Sequence, residues 1–188
     1  MRLIAILLLT MITPLVSGCF PIVAGGGGAA ALILEDRRTA GTYIEDEGIE
    51  LKTGNRISER FRDQVHVNVT SYNRIVLLTG EAPSDQLRAE VEQIARSMEN
   101  VRNVVNEISI AGPSSYTSRS NDALITSKVK ARFIDIGKFQ VNHVKVVTEN
   151  SVVFLLGLVK RQEAGSAVEI ARTTGGTQKV VKVFEYLD

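Results

Sequence analysis

The pattern Val76-Leu77-Leu78-Thr79-Gly80 returns 77 residues later as Val153-Phe154-Leu155-Leu156-Gly157, and this repeat decides the fold. A second match, of Val104-Val105 with Val180-Val181, follows at an offset of 76 residues. A single-residue deletion between the two matches explains the change of offset. Because two copies are too few for a stacked solenoid, the repeat indicates two small domains in tandem.

Each copy contains the periodicities of a helix, two strands, a second helix and a last strand. In the first copy, valines alternate with polar residues over 65–70, and a turn at Tyr72-Asn73-Arg74 leads into the apolar run that ends at Gly80. A helical stripe over 85–98 and an alternating segment over 104–110 follow. We therefore predict an α+β fold in which each αββαβ domain packs a three-stranded mixed sheet on two helices.

The helix that opens each copy is predicted less firmly in the first copy than in the second. In the second copy an apolar stripe at helical spacing follows Asn121 and Asp122, which are candidate N-caps. The members of that stripe are Ile125, Val129, Phe133 and Ile136. In the first copy Gly48 and Gly54 each cost about 1 kcal/mol relative to Ala, which predicts a short or frayed helix.

The N-terminus has the parts of a secretory signal, with a basic Arg2 and an apolar run from Leu3 to Val16. The run ends in Val16-Ser17-Gly18-Cys19, which resembles the bacterial lipobox. This resemblance implies cleavage before Cys19 and acylation of that residue with several chains, palmitate among them. Several acyl chains give essentially permanent membrane attachment. Phe20 stands where inner-membrane lipoproteins of enteric-type bacteria carry Asp, which favours the outer membrane.

These features divide the chain into five predicted segments. They are a cleaved signal peptide at 1–18, a lipidated N-terminus and tether at 19–45, a first domain at 46–111, a linker at 112–120 and a second domain at 121–188. Gly25-Gly26-Gly27-Gly28 makes the start of the tether flexible by composition. The stretch from Asp36 to Glu47 is too charged for such a tether and is expected to dock on a domain.

The net charge of +1 hides an asymmetry between the two copies. From Asp46 to Ile110 there are eight Lys or Arg and eleven Asp or Glu, whereas from Pro113 to Asp188 there are eleven and seven. A basic domain suits anionic partners, and an acidic domain is repelled by them. The second copy is therefore the candidate for contact with an anionic surface.

Reactive constellations are missing from the sequence, which argues against an enzyme. His66 and His143 occupy equivalent outward positions on the first strand of the two copies, which indicates exposed strand residues rather than ligands of one metal. The glycine pair Gly175-Gly176 lacks the lysine of a phosphate loop, and carboxylate pairs such as Asp46 with Glu47 lie beside basic residues like a solvated face. We expect no catalytic residue, metal or cofactor, and no nucleic-acid partner.

The chain resembles the dual-BON-domain outer-membrane lipoproteins, in which a lipobox precedes two BON domains. The resemblance rests on Gly80 and Gly157 at the ends of the second strands and on several longer stretches. The stretches are Asp36-Arg37-Arg38-Thr39, Asn68-Val69-Thr70-Ser71-Tyr72, Ile125-Thr126-Ser127-Lys128-Val129, Val144-Lys145-Val146-Val147-Thr148-Glu149-Asn150 and Leu156-Gly157-Leu158-Val159. It implies a non-enzymatic protein that supports envelope integrity, gathers at division sites and binds anionic phospholipid through the first helix of its second domain.

The same helix is a candidate membrane contact on its own residues. Beside the stripe turned to the sheet, a neighbouring face places an apolar tip next to cations, an arrangement suited to lipid headgroups. The candidate phospholipid-binding residues are Leu124, Lys128, Ala131 and Arg132, with Lys130 and Lys138 at the flanks. The family pattern commonly has Trp at the position of Leu124, and Leu lacks the amphipathic ring that favours the interface.

A second class of function remains open from the sequence. The acidic first copy suits a protein partner better than an anionic lipid, which indicates an interaction scaffold for envelope proteins. Regulation of cell-wall amidases and assembly of outer-membrane proteins are the candidate roles. The two functions are compatible, with one in each domain.

Overall fold

The computed structural model describes residues 36–188, which form two domains of the predicted αββαβ order. The first contains α1 Ala40–Phe61, β1 His66–Tyr72, β2 Ile75–Ala82, α2 Asp85–Arg96, β3 Asn103–Asn106 and β4 Ser109–Ile110. The second contains α3 Tyr116–Ile136, β5 Val144–Glu149, β6 Val152–Val159, α4 Arg161–Arg172 and β7 Lys179–Tyr186. The predicted signal peptide, Cys19 and the first part of the predicted tether lie outside the described residues.

Each domain has a mixed sheet with its second strand in the centre. β2 pairs antiparallel with β1 and parallel with β3, and β6 pairs in the same way with β5 and β7. The predicted last strand of the first domain is split, because Asn106 Oδ1 accepts from the Ile108 amide and interrupts the ladder before β4 resumes along β2. This agrees with the predicted fold class, since each hairpin is followed by a helix that returns the chain to a parallel position.

A buried aspartate on the first helix of each domain holds the hairpin turn. The central turn residues, Asn73 with Arg74 and Asn150 with Ser151, all have positive φ values between 49° and 65°. Asp46 accepts the Asn73 and Arg74 amides at 2.8 and 2.7 Å. Asp122 accepts the Asn150 and Ser151 amides at 2.9 and 2.8 Å. The turn amides, which the ladder leaves unpaired, are therefore satisfied by a helix side chain.

Two expectations about Asp46 and Asp122 are therefore wrong. Asp122 is not an N-cap, because α3 begins at Tyr116, within the predicted linker, and Ser115 Oγ caps it by accepting the Ser118 amide at 3.1 Å. Asp46 is not part of a solvated face, because it is only 1% exposed. Both aspartates point from the helix to the hairpin, where four turn amides require acceptors.

The helix α1 is long, which corrects the expectation of a short or frayed helix. It runs for 22 residues, begins inside the predicted tether and has Thr39 as its N-cap. Ile49, Ile57 and Phe61 are buried along it. Burial of a large apolar side chain contributes about 1.5–3 kcal/mol, so three of them outweigh two glycines at about 1 kcal/mol each.

The two sheets pack against each other, while the helices cover their outer faces. Each domain has its own apolar core between sheet and helices, and a further cluster of Tyr72, Leu77, Phe154 and Leu156 joins the two sheets. Their open faces pack on one another, so each small domain gains a second buried face.

The repeated glycines permit close strand approach. A Cβ on Gly80 would lie 2.1 Å from the His66 carbonyl oxygen, and one on Gly157 would lie 2.4 Å from the His143 carbonyl oxygen. Both distances are far below van der Waals contact. The glycines that end the repeated pattern are thus required by the hairpin of each domain.

Candidate membrane-contact site

The helix α3 is anchored by one side and exposes apolar groups on the other. Ile125, Val129 and Phe133 are at most 1% exposed and belong to the core of the second domain. On the opposite side Leu124 is 60% exposed and Ile134 is 66% exposed. A helix with large apolar residues on both sides has more apolar surface than the fold itself uses.

Five of the six predicted phospholipid-binding residues are exposed. Leu124, Lys128 and Ala131 follow one another at i, i+4 and i+7, while Lys130 and Ile134 form a second row at i and i+4. Ser127 lies between the two rows. We call this surface the α3 contact face, and it consists of Leu124, Ser127, Lys128, Lys130, Ala131 and Ile134. Lys138 lies just beyond Gly137, which ends the helix in a left-handed conformation.

Arg132 has another role than the one predicted from the sequence. Its Nη1 donates to the Ile170 carbonyl oxygen and to Thr174 Oγ1, both at 2.8 Å, and its side chain is half-buried. The guanidinium therefore joins α3 to the C-terminal end of α4 instead of pointing to solvent. We leave Arg132 out of the α3 contact face for this reason.

Sequence reasoning missed Ile134 and misplaced Ile136. Ile136 was assigned to the inner stripe, but it is 40% exposed because it ends the helix, beyond the sheet-packed part. Ile134 follows the buried Phe133 by one residue and so lies about 100° around the helix from it. Ile134 could have been identified from the sequence as a large apolar residue that lies outside the buried stripe of α3.

The cations on and beside the α3 contact face are available to a ligand. Within residues 36–188, Lys128, Lys130 and Lys138 are exposed and form no ion pair. One exposed carboxylate, Asp135, lies on the same helix. The exposed charge around the two apolar side chains is therefore predominantly positive. No helix in the described part of the chain is both long and apolar enough to cross a bilayer.

The charged stretch at the start of the described residues docks on a domain, as predicted, and it contacts the other domain as well. Arg37 donates to Glu163 Oε2 at 2.6 Å and to the Leu158 carbonyl oxygen at 2.8 Å, both in the second domain. In the first domain, Arg38 Nη1 forms a salt bridge with Asp46 Oδ2 at 2.7 Å. The Arg38 guanidinium lies 4.1 Å from the ring centroid of Tyr72. This segment therefore ties α1 to its own hairpin and to the neighbouring domain.

Burial and ion pairing shift the pKa values of Arg38, in this segment, and of Tyr72 and Glu163, which the segment contacts. Burial lowers the pKa of Arg38, but its hydrogen bonds to Asp36 and Asp46 outweigh that effect and raise it overall. Burial raises the pKa of Tyr72 to about 12. The hydrogen bond from Arg37 lowers the pKa of Glu163. Arg38 and Glu163 therefore keep their charges, and Tyr72 its proton, throughout the physiological range.

The histidines are not exposed strand residues, which corrects that expectation. His143 is buried, lies in a single 3-10 turn before β5, and has Nδ1 3.9 Å from Glu163 Oε1. His66 is half-buried, and its Nδ1 lies 2.9 Å from Glu81 Oε2. Because the sheets face each other, the outward side of each first strand meets the other domain rather than solvent.

His66 and Glu81 meet Glu149 of the second domain at this junction, and we call the three residues the interdomain cluster. Glu81 is 2% exposed and Glu149 is 7% exposed. Burial raises the pKa of Glu149, and the neighbouring Glu81 adds to the rise. Burial also acts to raise the pKa of Glu81, but hydrogen bonds from Asn150 and His66 outweigh it and lower that pKa.

The fold is thus a pair of αββαβ domains that share a sheet-to-sheet interface, and the BON domain family matches residues 45–112 and 121–188. The protein therefore belongs to the BON domain family, as a dual-BON outer-membrane lipoprotein. Its localisation is accordingly the outer membrane, with a lipid anchor.

Three curated relatives show how far the similarity extends. The chain is 37% identical over 178 residues to the outer membrane lipoprotein DolP of Haemophilus influenzae, covering 94% of this chain and 92% of that one. It is 33% identical over 154 residues to the 21 kDa hemolysin of Actinobacillus pleuropneumoniae, covering 81% and 79%. It is 26% identical over 144 residues to the osmotically-inducible protein Y of Escherichia coli, covering 74% and 72%. None of the three descriptions names an enzyme.

Proposed function

We propose that this outer-membrane lipoprotein, held by acyl chains on Cys19 and facing the periplasm, binds anionic phospholipid through the α3 contact face. Through this contact it supports envelope integrity, at sites of cell division. One observation carries the proposal: Leu124 and Ile134, at 60% and 66% exposure, lie beside Lys128 and Lys130, two exposed cations that form no ion pair within residues 36–188. This pattern is typical of an interfacial helix, in which apolar groups enter the membrane interface and neighbouring cations contact the lipid headgroups.

We expect the α3 contact face to bind anionic lipid weakly when the domain is free in solution, but tightly enough to be occupied when the protein is anchored in the membrane. A cation near an anionic leaflet contributes about 1 kcal/mol, so Lys128, Lys130 and Lys138 together contribute about 3 kcal/mol. The acyl anchor confines the domain to the membrane and raises its effective concentration there. A contact that is weak for a free domain is therefore occupied in the anchored protein.

The test is co-sedimentation of a chain that begins at Phe20, and so has neither the apolar signal sequence nor the acylated Cys19, with neutral and anionic liposomes at low and high salt. We expect binding to anionic liposomes only, decreasing with salt and lost in the double variant Lys128→Glu with Lys130→Glu. The matched control for charge is Lys179→Glu, an exposed lysine on β7 of the same domain that forms no ion pair among residues 36–188. Equal binding by the double variant and the control would overturn the proposal.

The apolar part of the contact is tested separately. Leu124→Glu is expected to weaken liposome binding and membrane localisation without loss of folding, because Leu124 is exposed on α3. The matched control is Leu51→Glu, since Leu51 is 66% exposed on the first helix of the other domain. A similar loss in both variants would show that binding does not depend on α3.

A second candidate function is a protein-interaction scaffold in the first domain, acting on cell-wall amidases or on outer-membrane protein assembly. The observation that favours it is that Ile44 and Leu51 are 71% and 66% exposed on α1, in the acidic domain. A groove of about 800 Å³ has Ile44, Ile49 and Met98 in its wall. Ile44→Ser with Leu51→Ser is expected to impair the envelope without changing liposome binding, and an intact envelope would exclude this candidate.

A further inference from the structure

The interdomain cluster brings an imidazole and two carboxylates together from both domains. His66 and Glu81 stand directly opposite each other on β1 and β2, and Glu149 ends β5 of the second domain. One ligand atom from each residue lies within 4.8 Å of the other two. We propose that these three side chains bind a divalent transition-metal ion, zinc by preference, which links the two domains.

The donor set selects the class of metal. One imidazole nitrogen and two carboxylate oxygens are ligands that zinc takes at about 2.0–2.2 Å, with water in the remaining tetrahedral position. Calcium and magnesium prefer six or more oxygen ligands, which this cluster does not supply. An imidazole shared with carboxylates instead favours the later transition metals.

The electrostatics of the cluster call for a cation. Glu81 and Glu149 are both more than nine-tenths buried and face each other as like charges. Within residues 36–188, His66 pairs with Glu81 at 2.9 Å, but no Lys or Arg forms a salt bridge with either carboxylate and Glu149 has no ion-pair partner. Two buried carboxylates that share at most one cationic partner carry a large desolvation cost. A divalent ion offsets the charge of both at once.

The surrounding hydrogen bonds hold the carboxylates in place. Asn68 Nδ2 and Thr79 Oγ1, in the first domain, donate to Glu149 Oε2 at 2.8 and 3.2 Å. Asn150 Nδ2, in the second domain, donates to Glu81 Oε1 at 2.7 Å. Fixed partners of this kind hold ligands of metal sites in place. Because each domain orients a carboxylate of the other, an ion at the centre stabilises the packing of the two sheets.

The test measures zinc binding by the full chain in detergent, in a Cys19→Ala background so that no thiol competes. Isothermal titration with zinc chloride is expected to give one ion per chain. His66→Gln and Glu149→Gln are each expected to weaken binding by about tenfold or more. The matched control is Glu50→Gln, a carboxylate that also bridges the domains, through Lys145 Nζ at 2.6 Å, and lies outside the cluster. It is expected to bind zinc like the parent chain.

Two further readouts separate a metal site from a structural role. Cobalt is expected to give the visible absorption bands of a low-coordinate site, and these bands are lost in His66→Gln. Glu149→Gln is expected to raise the midpoint of thermal unfolding without metal, because it removes a buried like charge, and to abolish the further rise that zinc gives the parent chain. Absence of stoichiometric binding, or equal affinity in the parent, His66→Gln and Glu149→Gln chains, would overturn the proposal and leave a hydrogen-bonded His66–Glu81 pair only. Neither outcome of the zinc experiments bears on liposome binding through α3, which is measured separately.

Discussion

The helices α1 and α3 occupy the same place in the repeated unit, yet their exposed surfaces suit different partners. Each exposes two large aliphatic side chains by 60% or more, Ile44 and Leu51 on α1 and Leu124 and Ile134 on α3. Along α1 there are five acidic and three basic residues, whereas α3 has two acidic and four basic ones. Exposed apolar surface alone therefore does not specify a membrane contact. The charge around it distinguishes the two helices.

The largest expected difference between the two helices concerns their buried aspartates. Asp46→Ala is expected to destabilise the protein by about 3–5 kcal/mol, because it removes the acceptor of two turn amides and a buried partner of Arg38. Asp122→Ala is expected to cost about 1.5–3 kcal/mol, because only turn amides lose their acceptor. Urea unfolding followed by circular dichroism measures both.

The control for the aspartates is Asp63→Ala, which changes an exposed residue after α1 and is expected to alter stability by less than about 0.5 kcal/mol. An Asp122→Ala variant as unstable as Asp46→Ala would contradict the extra role given to Arg38.

The second prediction exchanges the charge of the helices. Glu47 and Glu59 are exposed on α1, and Glu47 lies between Ile44 and Leu51 at helical spacing. Glu47→Lys with Glu59→Lys, in a chain whose α3 carries Lys128→Glu and Lys130→Glu, is expected to restore binding to anionic liposomes. Two cations near the surface contribute about 2 kcal/mol, or roughly a 30-fold change in affinity.

Co-sedimentation of chains that begin at Phe20 measures this restoration. The control replaces the same two α1 residues by Gln, which removes their charge without adding cations. Restoration by Gln to the same level as by Lys would show that charge is not what separates α1 from α3.

A smaller effect is expected from the residue at the tip of the α3 contact face. Leu124→Trp is expected to strengthen liposome binding by about 1 kcal/mol, since roughly 40 Å² of additional apolar area contributes about 25 cal/mol per Å². Trp also favours the membrane interface. The same substitution at Leu51 on α1 is the control, and an equal gain there would argue that any exposed aromatic ring suffices.

The smallest effect concerns the segment that precedes α1, which has no counterpart before α3. The lowered pKa of Glu163 means that its pair with Arg37 contributes stability above the ordinary pKa of a glutamate and loses it as the pH falls through the lowered value. The side chains are 21% and 16% exposed, so solvent screens the pair and the effect is expected to stay below about 1 kcal/mol.

Thermal unfolding of the parent chain and of Glu163→Gln, compared between neutral and acid pH, measures this contribution. The difference between the two chains is expected to disappear at acid pH. A difference that persists when Glu163 is protonated would show that the ion pair is not its source.

The architecture of both domains could be predicted from the sequence because it depends on local periodicity. A few neighbouring residues are enough to recognise each pattern. The patterns are the stripe of Ile125, Val129 and Phe133 and the repeated runs that end at Gly80 and Gly157. The turns follow in the same way, since Asn73 and Asn150 suit a left-handed conformation. The apolar faces of these helices and strands then pack against one another to form the core of each domain.

The contacts that the sequence did not predict join residues far apart in the chain. Asp46 and Asp122 bond turns 27 to 29 residues away, and no periodicity marks such a partner. The beginning of α3 was missed because Tyr116 to Asn121 contains no apolar stripe. Arg132 was placed on the wrong surface because helical spacing does not reveal a neighbouring helix end that accepts its hydrogen bonds.

The docked segment in front of α1 has a mechanical consequence. A pull applied through the chain that precedes Asp36 is opposed first by Arg37, which holds the second domain, and by Arg38, which holds the first. The load is therefore divided between both domains before the first turn of α1 is stretched. Force applied at this point therefore acts on the two domains together and does not detach α1 from the first domain.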